Sequence, residues 1–201
     1  MPQLRRFLML ALSVLFVTGT LFVPVVRAAD VTLSHAALER VVWQVLLTEG
    51  GRGYFEGGPD DTCRYAFVQE PKVTGASGRI RVRFLFSGRA GAPVGGRCVG
   101  PGDTFDLFVS GVPALAGGEL YFEDLRVEAP DTVYFRLVSA LVEEQLRRRL
   151  RYPLKQDLDR VAATVGAPAG YAMSVERLEM SHVEVDEDAL RVSLDLGLSI
   201  R

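Results

Sequence analysis

The sequence predicts an α+β fold, in which an antiparallel sheet carries its helices on one face. Two segments, Arg79–Phe86 and Leu190–Arg201, alternate between apolar and polar residues, the period-two pattern of a half-buried strand. A third segment, Asp131–Val165, repeats its apolar residues with helical spacing. Gly and Pro clusters separate these segments as turns require, and the predicted element order is α-β-β-β-β-α-β-β.

The N-terminal segment has the composition of an export signal. Arg5 and Arg6 precede the apolar run Phe7–Val23, and small residues stand at the −3 and −1 positions of a boundary after Ala28. We therefore predict a signal peptide over 1–28 and a single domain over 29–201, in the periplasm or outside the cell. An uncut membrane anchor is the alternative, because the run approaches the length that spans a bilayer.

The net charge and the two cysteines bear on the partners and the cellular location of the protein. The signal holds three of the 23 basic residues and no acidic one, which leaves 20 basic against 25 acidic residues, a net charge of −5. This argues against nucleic acid as a partner. Cys63 and Cys98 both lie in the exported part, so we expect a disulfide between them. Neither His35 nor His182 shows metal-ligand spacing, and no metal or cofactor is predicted.

The first predicted helix begins after the N-cap Ser34 and runs to about Thr48. A loop rich in glycine, Gly50–Asp61, follows it. A change of apolar parity at Glu123-Asp124 predicts a bulge in the fourth strand. The strands are predicted at 62–73, 78–88, 97–109, 118–127, 171–185 and 190–201.

The long helical segment is predicted to begin at the N-cap Asp131. Pro153 should break or kink it at Tyr152, because proline removes a backbone donor and restricts the residue before it. The first piece, about 22 residues, spans about 33 Å. The eleven residues of the final strand span a similar length, about 36 Å.

This layout resembles one half of a tubular lipid-binding domain, in particular small bacterial periplasmic lipoproteins of unassigned role. The residues that carry the resemblance are the leading helix Ser34–Thr48, the long alternating strands, the kinked helix Asp131–Val165 and the closing strand ending at Ile200. The chain lacks the acylated cysteine of those lipoproteins. The resemblance implies a long curved antiparallel sheet wrapped around the kinked helix, with an apolar groove that accepts acyl chains and no catalytic residues.

Candidate ligand contacts follow from this layout. Arg147, Arg148 and Arg151 cluster near the end of the first helical piece and are candidates for contact with anionic lipid headgroups during peripheral membrane binding; cations are also ordinary at a helix C-terminus. Apolar side chains are candidates for the groove lining, although they would equally form a filled core. The candidate lining residues are Trp43, Val82, Phe84, Phe86, Tyr134, Leu137, Leu141 and Leu194.

Three functions are compatible with these patterns. The first is an exported, non-catalytic carrier or sensor for a lipid or other apolar ligand in the cell envelope. The second is a structural or interaction module with a filled core and a protein partner. The third is a cone-shaped enzyme with a buried acid, for which Tyr65 and Asp106 are the residues to inspect. Because no catalytic motif is present and the acids of the clearest strands fall on the polar parity, we expect no enzyme.

Overall fold

The structure, a computed structural model, describes residues 27–201. The predicted signal peptide therefore lies outside the described residues, apart from its last two, which begin the first strand. The elements in chain order are β1 (Arg27–Ser34), α1 (His35–Leu46), β2 (Gly53–Glu56), β3 (Arg64–Ala76), β4 (Arg79–Ala90), β5 (Ala92–Val94), β6 (Arg97–Val99), β7 (Gly102–Ala116), β8 (Glu119–Glu128), α2 (Val133–Arg149), β9 (Arg151–Tyr152), α3 (Leu154–Gly166), a 3-10 turn (Ala167–Ala169), β10 (Met173–Val185) and β11 (Ala189–Ile200).

The strands form two main sheets and a small ribbon. The larger sheet has the order β2-β3-β4-β7-β8-β9, the smaller sheet β1-β11-β10, and β5 pairs with β6 alone. Each pairing within residues 27–201 is antiparallel, and the antiparallel sheet is curled into a half-barrel. The predicted class of mixed helices and antiparallel strands is confirmed.

Strand β4 confirms the predicted alternation of buried and outward-facing side chains. Its apolar residues from Ile80 to Phe86 are buried, whereas Arg79, Arg81 and Arg83 lie on the outer face. The final strand follows its pattern only in part. Leu190, Val192 and Leu194 are buried in the core, but the last two aliphatics of β11 are exposed.

The predicted bulge in the fourth strand is confirmed. The pairing of β7 with β8 shifts between Ser110 and Val112, so Gly111 faces two residues of β8. One of them, Asp124, has a φ of 47°. Its carboxylate accepts hydrogen bonds from Arg79 and Arg126, both at 2.8 Å. These bonds lower the pKa of Asp124 and hold the distorted backbone in place.

Several predicted boundaries need correction. The strand expected at 97–109 is two strands, β6 and β7, because Pro101 lacks the amide of a continuous ladder and Gly100 adopts a φ of 152°. The loop predicted at Gly50–Asp61 contains β2. The sequence pattern does not predict β9 or the separate β5–β6 ribbon, because segments of two or three residues carry too little periodicity. It does not predict β1 either, whose eight residues overlap the predicted end of the signal peptide.

The long kinked helix is likewise corrected to two helices. The N-cap is Thr132 rather than Asp131, because the Thr132 hydroxyl accepts the amide of Phe135 at 3.1 Å. At the predicted break before Pro153 the chain leaves helical geometry altogether and forms β9, which pairs with β8. The helices then diverge, α2 packing on the larger sheet and α3 mainly on β10. The predicted wrapping of one sheet around one kinked helix is not confirmed.

One apolar core joins both sheets, α1 and α2. Ser34 caps α1 as predicted, accepting the amide of Ala37 at 3.3 Å. Within residues 27–201, none of the helices combines the length and the hydropathy needed to cross a membrane. The residues of α1 and α2 that are buried in the core are Val42, Leu46, Tyr134, Val138, Val142 and Leu146.

The predicted disulfide is confirmed. Cys63 and Cys98 are bonded, with Cα atoms 5.3 Å apart. The bond ties the residue before β3 to the β5–β6 ribbon, and the Gly91 amide reinforces the same junction by donating to the Cys63 carbonyl at 2.8 Å.

Candidate functional site

A narrow apolar cleft lies between α1 and the larger sheet, and we call it the α1 cleft. Its volume is about 60 Å³. One wall is α1; the other walls come from strands β3, β4, β7, β8 and β9 and from one residue of β11. The lining residues are Leu38, Val41, Val42, Val45, Val73, Ile80, Val82, Pro113, Leu120, Tyr121, Phe122, Leu150, Arg151, Tyr152 and Leu190.

The cleft exists because the apolar stripe of α1 is wider than its contact with the core. Val42 and Leu46 fill the core, whereas Leu38, Val41 and Val45 are only half-buried and turn toward β8 and β9. A stripe wider than about 100° covers more than one neighbouring surface. The surplus apolar side chains therefore form a wall of the α1 cleft.

The strands facing α1 present apolar side chains by their register. Pro113 pairs with Phe122, and Leu120 pairs with Tyr152. Arg151 pairs with Tyr121, the residue after Leu120. Because successive residues of a strand point to opposite faces of the sheet, Arg151 and Tyr121 lie on the face opposite to Leu120. The Arg151 guanidinium lies 5.3 Å from the Tyr121 ring and 3.2 Å from Glu119. The sole charged lining residue thus aims its charge away from the apolar wall.

Few polar contacts hold α1 against the sheet. The Glu39 carboxylate accepts the Val73 amide at 3.0 Å and lies 3.7 Å from the Lys72 ammonium. The His35 amide donates to the Asp188 carbonyl at 3.2 Å. Two glycines with positive φ, Gly50 and Gly51, follow the helix. The attachment of α1 is therefore mainly apolar packing.

Four of the predicted groove residues lie in the filled core. Phe84 and Phe86 are 0% exposed and Tyr134 is 2% exposed, so no open groove separates α2 from the sheet at these positions. Leu194 is buried in the same core, contributed from the smaller sheet.

The other four predicted groove residues are dispersed. Val82 lines the α1 cleft. Trp43 is exposed on the far side of α1, above Gly51. Leu137 and Leu141 are exposed on α2 and line a separate groove beside the ribbon. The structure therefore does not bring the eight residues into one site.

The predicted headgroup residues are all exposed but differ in their partners. Arg148 pairs with Glu144 at 2.6 Å, one helical turn away, and Arg151 pairs with Glu119. Arg147 is exposed, and no ion pair among the described residues includes it. The arginine stripe on β4 is balanced by acids of β7 and β8: Arg83 pairs with Asp106 of β7, and Arg79 and Arg81 pair with Asp124 and Glu128 of β8.

The acids do not form a buried polar site. Asp106 lies on the outer face, 2.6 Å from Arg83, and Tyr65 lies on the same outer face beside Phe67. In the described part of the chain, no polar or charged residue falls in the buried class and no group of three or more His, Cys, Asp or Glu is placed to hold a metal ion.

Tyr134 has the most perturbed environment among the described groups. Its hydroxyl donates to the Tyr65 carbonyl at 3.0 Å and lies against Gly88, where an added Cβ would be 2.3 Å from the hydroxyl oxygen. Burial raises the pKa of Tyr134 to about 12. The neutral phenol is therefore favoured by the fold.

This predicts a loss of stability at alkaline pH. Because the folded pKa lies above the unfolded value of about 10, the contribution of Tyr134 is complete below pH 10 and is lost as the pH rises toward 12. We expect the free energy of unfolding to fall by about 2 kcal/mol over that range. In Tyr134→Phe this fall should be smaller, although the variant loses about 1 kcal/mol at pH 7 with its hydrogen bond. Urea unfolding at pH 8, 10 and 11.5 measures both, and equal falls in the two proteins would contradict the assignment.

Neither a protein-family model, nor a curated protein, nor a solved structure matches this chain. The fold and the site define an α+β protein with two antiparallel sheets around one apolar core and a narrow apolar cleft. The resemblance to tubular lipid-binding domains receives no support from these comparisons and stays a prediction from the layout of elements.

Proposed function

We propose that this protein is an exported, non-catalytic binding protein that holds a lipid or other apolar small molecule in the α1 cleft, as a carrier or sensor in the cell envelope. The observation that carries the proposal is the cleft lining, which is apolar except for Arg151 and the two tyrosines. Apolar concave sites are the usual place for such ligands. The disulfide supports a location outside the reducing cytoplasm.

Binding in the α1 cleft requires α1 to move. The volume of the cleft, about 60 Å³, is below the roughly 300–1,000 Å³ of ordinary ligand pockets. The mainly apolar attachment of α1 and the glycines at 50 and 51 support an outward shift of this helix as the opening step. A ligand's acyl chain then replaces the contacts that α1 loses. Arg147, Arg148 and Arg151 supply contacts to anionic headgroups when the protein meets a membrane, each worth about 1 kcal/mol.

Filling the cleft should abolish binding. In Val41→Trp we expect at least tenfold weaker binding of a fluorescent fatty-acid analogue, because the indole occupies the space beside α1. The matched control is Val161→Trp, the same change at an exposed position of α3. Fluorescence titration measures the affinity, and circular dichroism checks that each variant folds.

A second variant changes the cleft in the opposite direction. Leu120→Ala enlarges the space facing α1 and should tighten binding of the same probe. Native mass spectrometry of the purified protein should show a bound apolar molecule. Bare protein together with no probe binding by the wild type would refute the proposal, as would equal affinities for the wild type and a folded Val41→Trp.

The alternative is a structural or interaction module, and the packing of α2 favours it. The interface of α2 with the sheet is filled by Phe84, Phe86 and Tyr134, which leaves no open space there. This alternative predicts a protein partner and no ligand. Crosslinking in intact cells that captures one stoichiometric protein, together with no uptake of the fatty-acid probe, would select it over the carrier.

A further inference from the structure

Three aromatic side chains cluster on the outer face of the larger sheet, at its β2 edge. Tyr54 pairs with Phe67 across β2 and β3, and Tyr65, two residues before Phe67, lies on the same face. The ring centroids of Tyr54 and Tyr65 lie 5.2 and 5.7 Å from that of Phe67. Tyr54 and Phe67 are buried but lie outside the apolar core. Tyr65 is only half-buried, so its ring is the accessible part of the cluster.

A pocket of about 310 Å³ opens beside the aromatic cluster, and we call it the Tyr65 pocket. Its second wall is the loop between β2 and β3, which contributes Pro59, Asp61 and Thr62. The volume lies within the roughly 300–1,000 Å³ of small-molecule sites. The α1 cleft lies on the inner face of the same sheet, where Val82 lines it. The two spaces are therefore separate.

Hydrogen bonds and the disulfide fix the loop wall of the Tyr65 pocket. The Asp61 carboxylate accepts the Gly58 amide at 2.8 Å, and the Asp61 amide donates to the Gly58 carbonyl at 3.1 Å. Cys63, two residues later, is held by its disulfide and by the Gly91 amide. A wall that is already ordered loses little conformational entropy when a ligand binds.

The pocket also holds one charged group of each sign. The Arg52 guanidinium lies 4.6 Å above the Phe67 ring, and its Nη1 donates to the Tyr54 hydroxyl at 3.3 Å. Within residues 27–201, no ion pair includes Arg52 or Asp61. The other N–H groups of Arg52 and the second carboxylate oxygen of Asp61 can therefore donate to and accept from a ligand.

A second arginine on the same outer face shows what is particular to the Tyr65 pocket. The Arg81 guanidinium lies 4.2 Å above the Phe108 ring. It is paired with Glu128 at 2.9 Å, and Phe108 lines neither the α1 cleft nor the Tyr65 pocket. An arginine over an aromatic ring is therefore not in itself a site, and Phe108 supplies a matched control.

We propose that the Tyr65 pocket binds a neutral pyranose sugar, free or as a unit of a glycan. A sugar ring presents C–H groups on its faces, which pack on an aromatic ring such as that of Tyr65. Its hydroxyls both donate and accept, and so they match the guanidinium of Arg52 and the carboxylate of Asp61. The hydroxyl of Thr62 adds another group of the same kind.

The charges of the pocket argue against other small ligands. Arg52 and Asp61 cancel, so an anion or a cation would meet one like charge in the pocket. A purely apolar ligand would cover both charged groups without giving either a hydrogen bond, which is unfavourable. A neutral molecule rich in hydroxyls avoids both costs.

Saturation-transfer difference NMR of the purified protein tests the proposal. The probes are methyl glucoside, methyl galactoside, methyl mannoside and N-acetylglucosamine, each at millimolar concentration. At least one should receive saturation at its ring C–H protons and shift the amide resonances of Asp61 and Tyr65. A panel without any binding would overturn the proposal. So would sugar binding that leaves these resonances unmoved, or binding of inorganic phosphate or choline in place of the sugars.

Substitution of Tyr65 tests the aromatic platform. Tyr65→Ala should weaken binding of the sugar about tenfold or more, because it removes the stacking surface. Tyr65→Phe keeps the ring and should bind within about threefold of the wild type. The Tyr65 carbonyl, rather than its side chain, accepts the Tyr134 hydroxyl, so both variants keep that bond. Phe108→Ala should bind as the wild type does, and thermal midpoints check folding. Equal affinities for the wild type and a folded Tyr65→Ala would refute the assignment.

Asp61→Asn tests the carboxylate without removing the loop contact, since the amide oxygen can still accept from Gly58. Binding should weaken severalfold, because a neutral acceptor bonds a hydroxyl less strongly than a charged one; unchanged affinity would contradict the proposed role. Titration with a tetrasaccharide of the bound sugar distinguishes the source. Tighter binding than the monosaccharide indicates a glycan chain, and equal binding a free sugar. These measurements use no apolar ligand, so their outcome is independent of the proposed binding function of the α1 cleft.

Discussion

Phe84→Ala should lower the free energy of unfolding by about 3–5 kcal/mol, the cost of removing a large aromatic side chain from a packed core. Phe84 is 0% exposed in the middle of β4 and pairs with the equally buried Leu107 of β7. Neighbouring side chains cannot close the resulting space, because the sheet and α2 fix their positions. Urea unfolding followed by circular dichroism measures the change.

Leu85→Ala is the control for this prediction. Leu85 follows Phe84 in the same strand but lies on the outer face opposite Asp106 and is only partly buried. Its truncation should cost about 1 kcal/mol or less. If Phe84→Ala cost as little as Leu85→Ala, the space between α2 and the sheet would be adaptable, as an acyl-chain groove at this position requires.

Removing the disulfide should have a comparable effect. Cys63 and Cys98 are separated by 35 residues, and the chain-entropy relation gives about 4 kcal/mol for a loop of that length. Cys63→Ala/Cys98→Ala should therefore unfold at a markedly lower urea concentration than the oxidised wild type. The matched comparison is wild-type protein treated with reductant, which should reproduce the midpoint of the variant. Coincident midpoints for the oxidised and reduced proteins would show that the bond does not constrain the unfolded chain.

The long elements of this fold are predictable because their patterns are long. Twelve residues of β4 and twelve of β11 give several repeats of a period-two signal, and the parity change at Asp124 locates the bulge. The break before Pro153 follows from proline's missing donor. What proline chemistry does not specify is the structure on either side of the break. The two residues of β9 acquire their conformation from pairing with Leu120 and Tyr121, a contact between distant parts of the chain.

The candidate site is less predictable for the same reason. Leu38, Val41 and Val45 are visible in the sequence as part of an apolar helical stripe. Whether these side chains face a packed neighbour or an open cleft depends on where β8 and β9 end. The periodicity of apolar residues in the sequence does not predict those ends. Leu137 shows the converse case, since it follows the helical repeat of Tyr134 and Leu141 but lies outside the core.

The two-residue strand β9 also has a mechanical consequence. Its flanking residue Leu150 and its own Tyr152 line the α1 cleft, and the Tyr152 hydroxyl donates to Asp157 of α3. Two residues further along α3, Asp159 accepts the Val175 amide of β10 at 2.7 Å. A widening of the α1 cleft at β9 would therefore also displace α3 and the hydrogen bond that joins α3 to β10 of the smaller sheet. If the α1 cleft holds a ligand as proposed, its binding would therefore also be detectable at the smaller sheet, as a sensor requires.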